Sequence, residues 1–160
     1  MLSKSRNLII KDVTLNYAKL HTPVAPFGTM QWELQISTAD ANVAKQWKSD
    51  FLNVKEKEGV FSVSLSRKQM KSGNGGENKP PQVVDTMKQP IDTSKVSIGG
   101  GSLGNVIVYQ YNYDTAGRKG VGTMLSAVQV TKLEEYSSGL DFDIVGSDEP
   151  VFDDNDDGLF

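Results

Sequence analysis

The sequence predicts a mainly β domain, a small barrel or sandwich of about five strands that carries one helix. Two observations lead to this fold class. Segments with an apolar residue at every second position recur within residues 1–138, and this period places one face of a strand against a core. Only one segment instead has apolar residues at helical spacing. A chain of 160 residues can form one such domain with its own core and a short tail.

The first two strands are predicted at residues 7–20 and 29–37. The segment "NLIIKDVTLNYAKL" is rich in branched apolar residues and alternates only in part. "HTPVAPFG", a loop with two prolines and a glycine, separates it from "TMQWELQIS". In the second segment the apolar residues share one face and the polar residues lie opposite, as in a half-buried strand. The apolar face consists of Met30, Trp32, Leu34 and Ile36.

The helix is predicted at residues 41–53, with Asp40 as its N-cap. Its apolar residues are Val43, Ala44, Trp47, Phe51 and Leu52. Alternation returns in "GVFSVSLSRKQM", which predicts a third strand. The twelve residues "KSGNGGENKPPQ" that follow are rich in Gly, Asn, Pro and Lys, and predict a long mobile loop.

A long hairpin is predicted from "NVIVYQYNY", the turn "DTAGRKG" and "VGTMLSAVQVTKLEEY". The period of two places Tyr109, Tyr111 and Tyr113 on one face of its first strand. Three tyrosines in register favour a half-exposed aromatic platform, because each buried hydroxyl would need a hydrogen-bond partner. The turn adds Arg118 and Lys119 between glycines. Aromatic faces beside basic loops are what the binding of single-stranded nucleic acid requires, since bases stack on rings and phosphates pair with cations.

The sequence does not predict catalysis, a metal site or a cofactor site. It has no cysteine and one histidine, His21, which has no acidic neighbour to orient it. Gly99, Gly101 and Gly104 match a dinucleotide-binding pattern, but a strand rather than a helix is predicted after them. The segment "DDNDDG" matches the start of a calcium-binding loop but lacks the glutamate required at the twelfth position. No apolar run approaches the roughly 20 residues that cross a bilayer, and the N-terminus does not resemble a signal peptide.

The charge is distributed unequally along the chain. Of the 20 acidic residues, eight lie in residues 139–160, where there is no Lys or Arg. This leaves 12 acidic residues against all 17 Lys and Arg in residues 1–138, a net charge of about +5 against −8 for the tail. A basic body suggests a polyanion as partner, and an acidic tail on the same chain suggests a segment that competes for the same surface.

The combination of these features resembles the single-stranded DNA-binding proteins of phages, of the type found in short-tailed coliphages and related marine phages. The stretch "GNVIVYQYNYDTAGRKGVGTMLSAVQVTKLEEY" looks like the last two barrel strands of that family. "SRNLIIKDVTLNYAKLHTP" is similar to its opening strand, and "DDNDDGLF" to its terminus. Residues 38–95 carry the weakest part of the resemblance.

The resemblance implies an OB-fold, a five-stranded Greek-key barrel with one helix, in residues 1–138. It implies a non-enzymatic protein, without a cofactor, that coats single-stranded DNA during phage replication, recombination and repair in the cytoplasm of the infected bacterium. The acidic tail would be disordered and would dock the phage DNA polymerase and helicase–primase through Phe160. Many relatives form homodimers.

The candidate site residues follow from the platform, the basic body and the tail. Base stacking is expected from Tyr109, Tyr111, Tyr113, Tyr17, Phe27 and Trp32. For Tyr109 and Trp32 a place in the core is the alternative, and the alternation of Trp32 with Met30 and Leu34 favours it. Phosphate binding is expected from Lys4, Arg6, Lys11, Lys19, Arg67, Lys68, Lys71, Arg118 and Lys119. Partner binding is expected from Asp153, Asp154, Asp156, Asp157 and Phe160.

Two other functions are compatible with the same residues. A β-barrel that packs into a virion or another assembly would bury the tyrosines in a protein interface and would have no affinity for nucleic acid. RNA binding would use the same aromatic and basic residues, and no feature of the sequence indicates recognition of the 2′-hydroxyl.

Overall fold

The computed structural model describes residues 2–71 and 75–134, and in this part of the chain seven strands form one sheet beside one helix. In chain order the elements are β1 (Arg6–Val24), β2 (Gln31–Thr38), α1 (Ala41–Ser49), β3 (Lys55–Lys57), β4 (Val60–Lys68), β5 (Gln82–Val84), β6 (Ser102–Thr115) and β7 (Arg118–Lys132). The five long strands are those expected from the sequence. β3 and β5 were not predicted, because three residues are too few to display a period.

The strand order confirms the predicted Greek key. The order in the sheet is β3-β4-β2-β1-β6-β7-β5, and all neighbouring pairs except β5 with β7 are antiparallel. The first three long strands follow one another, and the fourth, β6, returns to lie beside the first. This is the 4-1-2-3 arrangement of a Greek key.

Strand β1 is shared by both halves of the sheet and contains two bulges, and its pairing with β2 shifts once more between Lys19 and Val24. Its first half pairs with β6 and its second half with β2. The register shifts between Ile10 and Val13 in the first pairing and between Asn16 and Lys19 in the second. Asp12 and Tyr17, which lie at these shifts, have φ angles of 58° and 51°. The bulges explain why the alternation in this segment is only partial, since each moves the buried positions by one residue.

The core lies inside the curved sheet. Its fully buried side chains come from the inward faces of the long strands, as the alternation predicts. The largest apolar ones are Leu15, Leu34, Ile36, Leu125, Val13, Val106, Val108 and Val128. The helix closes one side of this core with Ala44 and Trp47, which are both buried.

Helix α1 begins where predicted and ends earlier. The carboxylate of Asp40 accepts hydrogen bonds from the backbone N–H groups of Asn42 (2.8 Å) and Val43 (3.4 Å), which confirms the N-cap. The helix ends at Ser49 in a Schellman motif, in which Leu52 N–H donates to the Trp47 carbonyl at 3.0 Å. Phe51 takes the left-handed position of this motif (φ 65°) and is 44% exposed, so its predicted place on the apolar face is wrong.

A polar network joins the helix end to the sheet. Gln110 is fully buried on β6, and its amide donates to the Asp50 carbonyl (2.8 Å) and to the Thr123 hydroxyl (3.1 Å). Its carbonyl accepts from Arg6 Nε at 2.8 Å. All the polar atoms of this side chain therefore have partners, as a buried amide requires.

The sheet curls until β4 approaches β7, which makes a partly open barrel. The Arg67 guanidinium crosses the gap and donates from Nη1 to the Leu125 carbonyl of β7 (3.2 Å). Strand β5 pairs in parallel with another part of the same β7 edge, with Val83 opposite Val128. The sheet thus curls around the core between β4 and β7, and its edge strands are β3 and β5.

The segment after β4 is more ordered than expected. Gln69 and Asn78 are joined by a backbone hydrogen bond of 2.8 Å, and Lys71 N–H donates to the Gly76 carbonyl at 2.8 Å. Residues 69–71 and 76–78 therefore pair with each other as an extension of β4, so part of the predicted loop is paired. Within the described residues, no helix is long and apolar enough to cross a membrane.

Candidate nucleic-acid interface

The tyrosines of β6 occupy the outward face of the sheet, as the alternation predicts. Tyr111 and Tyr113 are 38% and 41% exposed, and Tyr109 is half-buried. The rings of Tyr109 and Tyr111 are stacked, with centroids 5.9 Å apart and an angle of 27° between their planes. The residues between them, Val108 and Gln110, are buried in the core and in the polar network. The rigid strand thus holds the rings in a row at the surface.

Glycines on β7 give these rings their position. Tyr111 pairs with Gly122 and Tyr113 with Gly120 across the hairpin. A Cβ atom at Gly122 would come within 2.6 Å of Tyr111 Cε2, and one at Gly120 within 2.6 Å of the Tyr113 hydroxyl. The rings therefore lie over bare backbone, with one side against β7 and the other facing out. An aromatic ring that covers a cross-strand glycine in this way stabilises the sheet at a position that has no side chain of its own.

A second aromatic pair lies farther across the sheet, beside β2. Tyr17 is 72% exposed at the second bulge of β1, and Phe27 is 95% exposed in the loop between β1 and β2. The left-handed φ of Tyr17 costs about 1–2 kcal/mol for a residue with a Cβ, and strain of this kind concentrates at functional sites. The bulge turns Tyr17 away from the core, which its neighbours Leu15 and Leu20 fill.

The two rings stand over a polar floor formed by β2 and β4. Together with this floor they line a cavity of about 300 Å³. The outward faces of the two strands supply its polar side chains, with Glu33 paired to Ser66 and Gln35 to Ser64. Gln31 completes the polar part of the lining.

The two aromatic pairs belong to one surface. A second cavity, of about 360 Å³, lies between the extension of β4 and the hairpin of β6 and β7. Ser66 lines both cavities, so they adjoin on β4. We call the combined surface the aromatic groove, and its remaining members in the second cavity are Lys68, Met70, Lys71, Asn78, Tyr109, Tyr111, Thr123 and Met124.

Cations line one end of the aromatic groove. Lys68 and Lys71 are exposed within the second cavity. Arg118 and Lys119 are exposed at the tip of the hairpin that carries the tyrosines, where Lys119 Nζ lies 4.0 Å from Asp114 Oδ2. That ion pair is open to solvent and holds Lys119 only weakly. Rings and cations thus lie side by side at this end of the groove, an arrangement suited to a single strand whose bases stack and whose phosphates lie at the edge.

Comparison with solved structures finds the same fold in two phages. The single-stranded DNA-binding protein from bacteriophage Enc34, in complex with single-stranded DNA, matches with a TM-score of 0.60 and 14% sequence identity over 81% of this chain and 88% of that one. The single-stranded DNA-binding protein gp2.5 of bacteriophage T7 matches with a TM-score of 0.57 and 16% identity over 85% of this chain and 91% of that one. No protein-family model and no curated protein sequence matches the chain.

The fold is the OB-fold of these phage proteins. In OB-folds, oligonucleotides bind on the face of the second and third long strands, between the loops that follow the first and fourth. Here those strands are β2 and β4. The loop after β1 carries Phe27, and the turn after β6 leads into Arg118. The aromatic groove therefore occupies the ligand-binding face of the OB-fold.

Three expected site residues have structural roles instead. Trp32 is 3% exposed in the core of the OB-fold, and its Nε1–H donates to the His21 carbonyl at 3.2 Å, so the expectation that it stacks on bases is wrong. Arg6 is held by Gln110 and by Asp50, whose Oδ1 lies 3.5 Å from Nη2, and this excludes a phosphate role for its buried end. Arg67 donates to the carbonyls of Leu125 and Lys79, the latter at 2.6 Å.

Burial affects the charge of Arg67 only slightly. Desolvation lowers the pKa of its guanidinium from the usual value, but an arginine keeps its charge at neutral pH. Two of its nitrogens are engaged in closing the barrel. Its primary role is therefore to bridge the gap between β4 and β7.

The other predicted cations lie outside the two cavities of the aromatic groove. Lys4 precedes β1, and Lys11 is exposed beside the first bulge. Lys19 is exposed on β1 opposite Glu33 in the register of β1 and β2, next to the groove. The predicted tail residues, including Asp153 and Phe160, lie outside the described part of the chain.

The residues of the polar floor were not among the predicted site residues. Gln31, Glu33 and Gln35 were placed opposite the apolar face of their strand, and the serines of β4 likewise, but no function was attached to them. The available signal was the small size of these serines, which leaves room above the sheet. That the two polar faces lie side by side follows only from the pairing of β2 with β4.

We predict that Gly122→Ala displaces Tyr111, because the added methyl group would overlap the ring. The ring can swing outward, so unfolding free energy should fall by only about 1–2 kcal/mol. The measurement is urea denaturation together with the NMR shifts of the Tyr111 ring protons. Gly100→Ala is the control, since a Cβ there meets nothing closer than 3.7 Å. Unchanged Tyr111 shifts in Gly122→Ala would contradict the packing described.

Proposed function

We propose that this protein binds single-stranded DNA without strong sequence preference and acts in phage DNA replication, recombination and repair. The observation that carries the proposal is the aromatic groove, which combines exposed rings, exposed lysines and a polar floor on the ligand-binding face of an OB-fold. The likeness to the Enc34 and T7 proteins, whose names describe single-stranded DNA binding, supports it.

In the proposed binding mode, the aromatic rings of the groove bind the bases and the cations bind the phosphates. Bases would stack on Phe27 and Tyr17 at one end, on Tyr111 at the other, and on Tyr113 in the adjoining hairpin. Each stacked base contributes roughly 1–3 kcal/mol, and stacking tolerates any base because every base has a π-face. Phosphates would pair with Lys68, Lys71, Arg118 and Lys119, which line the groove or the adjoining hairpin tip. Duplex DNA is disfavoured, since its bases already stack on each other.

We predict that oligo(dT) binds the full-length protein and that affinity falls steeply with salt. With about four phosphates neutralised at a slope of −0.7 each, raising salt fourfold should weaken binding roughly 50-fold. Fluorescence anisotropy of a labelled oligonucleotide gives the measurement. Tyr111→Ala and Phe27→Ala should each weaken binding about tenfold. Phe51→Ala is the matched control, because Phe51 is exposed at the end of α1 and lines neither cavity.

Three results of this titration would contradict the proposal. They are affinity that does not depend on salt, a preference for duplex, or equal losses in Phe51→Ala and Phe27→Ala. Absence of any binding would instead favour a structural protein of a virion or assembly. A ribo-oligomer of the same sequence, measured in parallel, shows whether RNA is also bound.

We also propose that the acidic segment of residues 139–160 competes with DNA for the basic surface and docks replication proteins. The proposal is supported by the opposite charges of this segment and of residues 1–138. Phage DNA polymerase and helicase–primase are the proposed partners, with Phe160 as the apolar anchor, and a homodimer is the proposed assembly.

We predict that deleting residues 139–160 tightens oligo(dT) binding, and most strongly at low salt, where charges are least screened. Affinity measured at low and at high salt tests this. Phe160→Ala keeps all the acidic residues and should leave DNA affinity unchanged while it abolishes capture of the replication proteins. Equal DNA affinity with and without the segment at low salt would refute the competition.

A further inference from the structure

The cavity between Tyr17 and Phe27 differs in charge from the rest of the aromatic groove. Among the lining residues that the structure describes there is no Lys or Arg, and the one carboxylate is that of Glu33. The adjoining cavity, in contrast, has Lys68 and Lys71 and no acidic residue in the described part of its lining. A groove for a polyanion thus contains, at one end, a negative charge on its floor.

The Glu33 carboxylate is available to a ligand. Its Oε2 accepts a hydrogen bond from Gln31 Nε2 at 2.6 Å, which orients the group. Among the residues that the structure describes, the ion pairs are Arg6 with Asp50 and Lys119 with Asp114. Lys19 lies opposite Glu33 in the register of β1 and β2 but forms no ion pair with it and does not line the cavity. Within the same residues its Oε1 accepts no hydrogen bond from another side chain or from the backbone.

A carboxylate in this place selects which part of a nucleotide can enter. It repels phosphate and leaves hydrogen-bond acceptors unpaired, whereas it accepts strongly from N–H donors. Rings at the rim and a carboxylate, amides and hydroxyls on the floor match a flat base whose edge points inward. The volume of about 300 Å³ is sufficient for one base between the two rings.

We propose that this cavity reads the edge of one base and favours guanine, with Glu33 as the specificity-determining acceptor. This inference rests on the proposed binding of single-stranded DNA and adds a preference at one position of the bound strand. Bases elsewhere in the aromatic groove are held by stacking, so the overall preference is modest.

The donor patterns of the bases account for the choice of guanine. Its Watson–Crick edge presents N1–H and N2–H side by side, and the two oxygens of a carboxylate can accept from both. Cytosine and adenine present one amino group next to an acceptor nitrogen, which the carboxylate repels. Thymine presents one N–H between two carbonyl oxygens and should be the least favoured.

The test uses the full-length protein and repeating oligonucleotides of about 12 nucleotides, within the length that one OB-fold covers. Alternating dT-dG, dT-dI, dT-dC and all-dT strands are compared by fluorescence anisotropy. We expect dT-dG to bind at least about fivefold more tightly than all-dT. Deoxyinosine lacks only the N2 amino group of deoxyguanosine, so dT-dI should lie between them.

The variant Glu33→Gln keeps the size of the side chain and removes the charge and one acceptor. It should bring dT-dG and all-dT to within about twofold of each other, mainly by improving all-dT. Glu56→Gln, on the exposed strand β3, removes the same charge outside the groove and should leave the preference unchanged.

The outcomes separate the two proposals. Equal binding of all four strands by the wild type, or a guanine preference that persists in Glu33→Gln, overturns the role of Glu33 and leaves single-stranded DNA binding intact. Failure of the wild type to bind any of the strands overturns the proposed function and this inference with it.

Discussion

The two bulges of β1 are the constraint on which the rest of the structure depends. One strand of 19 residues pairs with β6 at one end and with β2 at the other, and a regular alternation over that length would turn half its apolar residues outward. Each bulge shifts the alternation by one residue, so that Ile10, Val13 and Leu20 all point into the core. Bulges also bend a strand and increase its twist, which allows β4 to come round to β7.

The second bulge links the fold to the aromatic groove. The shift that returns Leu20 to the core leaves Tyr17 outside it, beside Phe27. At the other end of the groove, support comes from the absence of side chains, since Gly120 and Gly122 leave the space that the tyrosine rings occupy. The second bulge and the glycines of β7 therefore determine where the aromatic rings lie, and the rings are in position before any ligand binds. Such preorganisation lowers the entropy cost of binding.

Local patterns were sufficient where the strands are regular. The alternation in β6 identified Tyr111 and Tyr113 as exposed, and the helix cap at Asp40 was readable from its residue type and the period that follows. Patterns were insufficient where a partner lies far along the chain. Arg6 looks like any N-terminal cation, and its structural role depends on Gln110, more than 100 residues away in sequence. Trp32 is buried with Leu34 and Ile36 on the inward face of β2, and its alternation with Leu34 already favoured the core over the surface. The polar floor around Glu33 could not be predicted, because it is formed by the pairing of β2 with β4, which the helix separates in sequence.

In the proposed binding mode, one strand of DNA runs along the whole aromatic groove, from Phe27 across β2 and β4 to Tyr111. Photo-crosslinking tests it most directly, with 5-iododeoxyuridine placed at successive positions of one oligonucleotide and the linked residues identified by mass spectrometry. We expect crosslinks to Tyr17 or Phe27 and to Tyr111 or Tyr113, at different positions of the same oligonucleotide. Crosslinks confined to one aromatic pair, or formed mainly at Phe51 beyond the groove, would contradict it.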